Sequence, residues 1–144
     1  MAVKSVKVQG VQDDSFRMEV TAGNHVVVID QPGAMGGMDE GPNPLEYFLI
    51  SLAGCIGAIG RIIANQRKME VRGFRIEVSG ELNTDNLLGI KSEERAGFSR
   101  IDVTVNIDTE MTREEKLSYL SEIDARCPIS DNICNPSEVR FKLL

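Results

Sequence analysis

Three cysteines, at positions 55, 127 and 134, are the residues of this chain best suited to chemistry. A thiolate is a nucleophile and a thiol is a small hydrophobe, so the surroundings decide which of the two a cysteine is. Cys55 ends the stretch NPLEYFLISLAGC (43–55), an apolar run whose one carboxylate is Glu46. Taken alone it reads as a core residue as readily as a reactive one. Cys127 stands directly before Pro128. Pro suits the first turn of a helix, where backbone N–H groups and the helix dipole favour a thiolate. Cys134 has no charged neighbour and reads as structural. A reactive thiol needs a cation or hydrogen-bond donor beside it, and an acceptor to keep that cation in place. The candidate cations are Arg17, Arg61 and Arg100, and the candidate acceptor is Glu46. Glu46 also stands three residues after Asn43, the spacing of a capping box. Arg61 lies six residues past Cys55, about 120° away round a helix, which suits a solvated or interface charge. Arg100 alternates with Ile101, Val103 and Val105 and belongs on a solvated strand face. His25, the only histidine, adjoins a turn and has a surface role. Three Cys and one His at these spacings match neither a zinc pattern nor a disulfide framework. No metal and no cofactor are expected.

The elements that must position these residues follow from periodicity. Val3 to Val8 alternates as a strand. Ser15 to Val20 and His25 to Asp30 flank Ala22-Gly23-Asn24 as a hairpin. Gln31 to Gly41 is a Gly-rich loop, either a mobile lid or a plain connector. Asn43 and Pro44 open a long helix to Gln66. Its apolar residues cover nearly the whole circumference, which implies burial on all sides. Gly54, Gly57 and Gly60 form a stripe suited to close helix–helix packing, within the fold or across a dimer. Val71 to Leu82 and Phe98 to Ile107 alternate as strands, joined by a polar loop. A capping box at Thr112 and Glu115 starts a second helix with a Leu117, Leu120, Ile123 stripe, ending near Arg126. A short helix from Pro128 to Ile133 and a last strand, Val139 to Leu144, complete the order βββ-α-ββ-α-(short α)-β. Grouped strands with two main helices make the class α+β.

At 144 residues the chain is long enough for one domain, 1–144, with a real core. Its formal charge of −6 and pI near 4.8 make nucleic acid and anionic membranes poor partners. The N-terminus MAVKSVKVQG lacks the apolar segment of a signal peptide, and the uncharged run after Glu46 is short for a bilayer span. A cytoplasmic protein is expected, and its three cysteines fit a reducing compartment.

Two stretches carry a family resemblance. GPNPLEYFLISLAGC (41–55) resembles the central-helix signature of the OsmC/Ohr proteins, in which Asn-Pro opens the helix and the reactive Cys falls twelve residues after the Asn. ARCPIS (125–130) resembles the family's Cys-Pro-Val/Ile-Ser segment after the second long helix. The resemblance implies an OsmC-like fold, βββ-α-ββ-α-β, with a long buried central helix and an intertwined homodimer. It implies a thiol peroxidase for organic hydroperoxides. Cys55 would be the peroxidatic thiol, Cys127 the resolving one, and a lipoyl-type dithiol the reductant. Well-studied members carry the catalytic carboxylate immediately after Asn-Pro. Leu45 holds that place here and Glu46 follows it, while Arg17 is nearest to the family's arginine in the N-terminal strands. A non-catalytic ligand-binding or redox-sensing module on the same fold is the alternative.

Overall fold

The computed structural model describes residues 1–144. The chain is α+β and divides into two compact units, Met1–Phe48 and Leu49–Leu144.

The first unit is built on a three-stranded antiparallel sheet in the order β1 (Val8–Gln12), β2 (Met18–Ala22), β3 (His25–Ile29). Ala22 pairs with His25, so Gly23 and Asn24 form a two-residue turn. Gly23 has φ +60°, the left-handed conformation such hairpins require. The first strand starts later than the Val3–Val8 alternation suggests. Val8 already faces Ala22, the last residue of β2. Residues before it overshoot that strand and have no ladder to join.

The Gly-rich loop after β3 is tied back by hydrogen bonds to Asp30. The Asp30 side chain is only 1% exposed. Its carboxylate accepts backbone N–H groups from Gln31 (2.7 Å), Met38 (3.3 Å) and Glu40 (3.2 Å). A Cβ at Gly37 would run into the Gln31 carbonyl, and one at Gly41 into that of Val28. The loop leads to Asn43, whose Oδ1 accepts from the Glu46 N–H (2.9 Å), while Glu46 Oε2 accepts from the Asn43 N–H (2.8 Å). This reciprocal pair starts helix α1 (Pro44–Arg67). The Tyr47 hydroxyl then donates to the Val28 carbonyl (2.7 Å), tying the first turn to β3.

The second unit holds the rest of α1, the hairpin β4 (Gly73–Glu81) and β5 (Arg100–Asp108), and the helices α2 (Arg113–Arg126) and α3 (Pro128–Cys134). Phe74, Ile76 and Val78 pair with Ile107, Val105 and Val103. The core gathers Leu52, Ile56, Ile63, Val71, Tyr119 and Ile123. Three expectations change here. First, α1 is not enclosed on all sides. Its buried stripe is Leu52, Ile56, Gly60, Ile63 and Ala64, while Phe48, Ile50 and Ile62 are exposed. One β-hairpin and two short helices cover one side of a helix and no more. By length and composition the whole helix is also apolar enough to cross a membrane, because the span extends past the uncharged run. Second, the inner face of α2 is Tyr119 and Ile123, and Leu117 is 54% exposed. The Tyr119 hydroxyl reaches the Gly60 carbonyl of α1 at 2.5 Å. Third, no strand forms over Val139–Leu144, where Phe141 is 96% exposed. A strand exists only through a hydrogen-bonded neighbour, and within this chain that segment has none.

Within the chain, the glycine stripe makes a close approach at one position. A Cβ at Gly54 would meet open space, and at Gly57 an ordinary contact with Ile76 at 3.8 Å. At Gly60 it would lie 2.5 Å from the Phe74 ring and 3.2 Å from Ile123. The close approach is therefore to side chains of β4 and α2, not to another helix backbone. Gly60→Val is expected to cost about 1–3 kcal/mol through overpacking, read as a lower urea midpoint, whereas Gly54→Ala should stabilise slightly.

Candidate functional site

Cys127 sits where two helices meet. It closes α2, opens α3 and is 1% exposed. Pro128 fixes the first helical residue of α3 without an N–H to satisfy. The next two amides point at sulfur: the Ser130 N–H donates to Cys127 Sγ (3.4 Å), and the Ile129 N–H donates to Cys55 Sγ. Cys55 comes from α1, is half-buried, and lies with its Sγ 2.8 Å from Cys127 Sγ, across 72 residues of sequence. Both thiols are free, as is Cys134, which is exposed at the end of α3. Exposure removes the packing role that the sequence suggested for Cys134.

Burial pushes the Cys55 thiol above its ordinary pKa, the hydrogen bond with the Cys127 thiol adds to that, and the Ile129 N–H opposes both. The two sulfurs are held in contact, and the surroundings of Cys55 on balance favour its neutral thiol. A cavity of about 380 Å³ lies in the same unit, with walls that include Leu52, Val105, Leu120 and Ile56, the residue next in sequence to Cys55. Ser121, Asp124 and Ser130 are its polar residues. That size suits a small organic ligand. No cluster of three or more His, Cys, Asp or Glu side chains is placed to hold a metal ion.

The cation candidates have separate fates. Arg61 donates to the Val71 carbonyl (2.8 Å) and lies over the Phe74 ring at 5.9 Å, which makes it part of the packing. Arg100 pairs with Asp102 on the solvent side of β5. Arg17, in the first unit, pairs with Glu40 (2.6 Å) and Glu19 (2.9 Å). Glu46 is occupied by the cap. Nine residues along α1 separate it from Cys55. His25 is exposed at the start of β3.

Sequence reasoning did not single out Asp30 or Glu40. An acid just after an apolar strand, with Pro-Gly beginning two residues on, was the available signal, since Asp favours bonding to the backbone just after it. The amides hold the Asp30 carboxyl below its ordinary pKa of 3.8. A depressed folded-state pKa contributes stability above the unfolded value and loses it as pH falls through the folded one. Asp30→Asn is thus expected to lower the urea midpoint at neutral pH, and the gap to the wild type should close in acid below 3.8. A gap that stays constant with pH would count against this anchor.

A family model described as OsmC-like protein matches residues 37–142, a span that holds both cysteine motifs. The chain belongs to the OsmC-like family. Among solved structures, an OsmC-like protein from Mycoplasma pneumoniae superposes with a TM-score of 0.80 at 18% identity, covering 92% of this chain and 89% of that one. An organic hydroperoxide resistance protein OsmC from Legionella pneumophila gives 0.68 at 19%, covering 92% and 91%. An organic hydroperoxide resistance protein from Elizabethkingia anophelis gives 0.70 at 16%, covering 94% and 91%. These likenesses establish a common OsmC-like fold. Among curated proteins no match is found.

Proposed function

We propose that this OsmC-like protein is a thiol-dependent peroxidase that reduces organic hydroperoxides. The observation that carries the reading is the contact of two free thiols, Cys55 and Cys127, at 2.8 Å, in a unit that also holds an aliphatic cavity. The Cys55 thiolate attacks the O–O bond of the hydroperoxide, releases an alcohol and becomes a sulfenic acid. Cys127 displaces hydroxide from that sulfur, giving a disulfide and water. A dithiol, of the lipoyl type in characterised relatives, takes the oxidation and restores both thiols. Aliphatic walls favour an alkyl hydroperoxide over hydrogen peroxide. The proposal extends to a cytoplasmic homodimer, with the exposed side of α1 as part of the contact, and to no role for nucleic acid or membrane.

The test is cumene hydroperoxide followed by mass spectrometry of the alkylated protein. A Cys55–Cys127 disulfide, reversed by dihydrolipoamide, is expected. Two thiols still reduced under excess peroxide would sink the proposal.

Because burial raises the Cys55 pKa, the reading requires a cation at the thiolate. Arg17 is proposed for that part, and Glu46 for the carboxylate that supports it. Arg17→Gln is expected to raise the measured Cys55 thiol pKa and to slow turnover about tenfold or more at neutral pH. Glu46→Gln keeps an acceptor for the Asn43 N–H, so a smaller loss at an unchanged melting temperature is expected. No loss would leave Glu46 as a cap alone.

The raised thiol pKa also favours a second reading, a binding or sensing module whose thiols are packing residues. A Cys55 pKa that stays above the unperturbed value of about 8.5 in the intact protein, with no peroxide consumption, would select it.

A further inference from the structure

The geometry points to Asp124 as a positioning residue for the resolving step, holding the turn of backbone that presents Cys127 to Cys55. The inference rests on the peroxidase reading above. Consecutive amides of α3 serve the two sulfurs, Ile129 on Cys55 and Ser130 on Cys127. That turn belongs to a helix of seven residues, too short to hold its own shape without help from its neighbours. Asp124, in the last turn of α2, grips it at both ends. Its backbone carbonyl accepts the Cys127 N–H (3.1 Å), and its Oδ1 accepts the Ser130 hydroxyl (2.5 Å). Glu122, two residues earlier on α2, is taken up by Arg67 and Arg126. Asp124 instead turns its carboxylate to the segment that carries the thiol.

The clamp matters at a branch point. Once Cys55 is a sulfenic acid, Cys127 Sγ attacks its sulfur. The S–S bond forms as the S–O bond breaks, and the thiol proton leaves with the hydroxide as water. A second hydroperoxide competes for the same sulfur, transferring an oxygen to give the sulfinic acid and leaving as an alcohol. The outcome depends on how steadily Cys127 is held in contact. A loosened turn should therefore move the partition towards over-oxidation.

The experiment titrates cumene hydroperoxide and reads the ratio of disulfide to Cys55 sulfinic acid by mass spectrometry. Asp124→Ala and Ser130→Ala each remove one side of the same bond. Both are expected to over-oxidise at about tenfold lower peroxide, the rate equivalent of one hydrogen bond. Asp124→Asn and Ser130→Thr keep the acceptor and the hydroxyl, and should partition as the wild type does. This rescue separates positioning from a general loss of fold, which circular-dichroism melts monitor, and from an effect of charge. An Asn variant as prone to over-oxidation as Ala, or Ala variants that match the wild type, would overturn the inference. A wild type that forms no disulfide would instead bring down the peroxidase reading itself.

Discussion

Replacement of Cys55 by serine is expected to abolish the proposed peroxide turnover, a fall of at least about three orders of magnitude, while leaving the fold in place. The reasons are chemical and geometric. A serine hydroxyl stays protonated in this environment and its oxygen does not attack a peroxide O–O bond, so no partial reaction replaces the lost thiolate. Cys55 is only half-buried, and serine is close to it in size, so the core around Leu52 and Ile56 should be undisturbed. Melting temperature and the far-ultraviolet spectrum therefore serve as controls on the activity measurement. In this variant Cys127 should remain reduced under cumene hydroperoxide, because in the proposed cycle its oxidation depends on a sulfenic acid at position 55. Residual turnover above a few per cent would show that another thiol does the chemistry. Cys134, exposed on α3, would then be the first to test.

The sequence made some of this architecture legible and hid the rest for physical reasons. Local signals served well. Asn43 with Glu46 and Thr112 with Glu115 form the capping boxes their spacing suggests, and the alternation of Phe74, Ile76 and Val78 gives a real strand face. Properties that depend on a neighbour were harder to read. Val3–Val8 and Val139–Leu144 alternate like strands, but pairing decides whether a strand forms, and in this chain the partner backbone runs out. The apolar girth of α1 says that the helix is hydrophobic; it does not say how much chain is available to cover it. Tyr119 was missed in the α2 stripe because a phenol reads as amphipathic, and its burial rests on one acceptor, the Gly60 carbonyl. At the site, the contact of Cys55 with Cys127 spans 72 residues and has no local signature. It came into view through motif resemblance alone. Asp30, Glu40 and Asp124 act through hydrogen bonds to backbone or to one distant side chain. No periodicity records bonds of that kind.

On the proposed peroxidase reading, Cys127→Ser should give the opposite failure to Cys55→Ser: a first turnover that survives and a protein that then destroys its own thiol. The fold has reason to tolerate this change. Cys127 is the N-cap of α3, its Sγ already accepts the Ser130 N–H, and serine is among the best residues for that role. Cys55 retains its thiol and the Ile129 N–H, and loses a neighbouring thiol that raised its pKa. Its first reaction with hydroperoxide should therefore be at least as fast as in the wild type, releasing one equivalent of alcohol. The sulfenic acid that results has no thiol in contact to condense with. Direct reduction by a dithiol from solution must then compete with further peroxide, and excess cumene hydroperoxide should carry Cys55 to the sulfinic acid within a few turnovers. Mass spectrometry would read this as two added oxygen atoms on the peptide that holds Cys55, with steady-state turnover lower by roughly two orders of magnitude, since a tethered thiol has a large effective concentration over a free one. Added Cys134→Ser should leave the result unchanged if that thiol takes no part. A Cys127→Ser variant that cycles at the wild-type rate without over-oxidation would mean that the 2.8 Å contact is packing, and that any resolution of Cys55 comes from outside the chain.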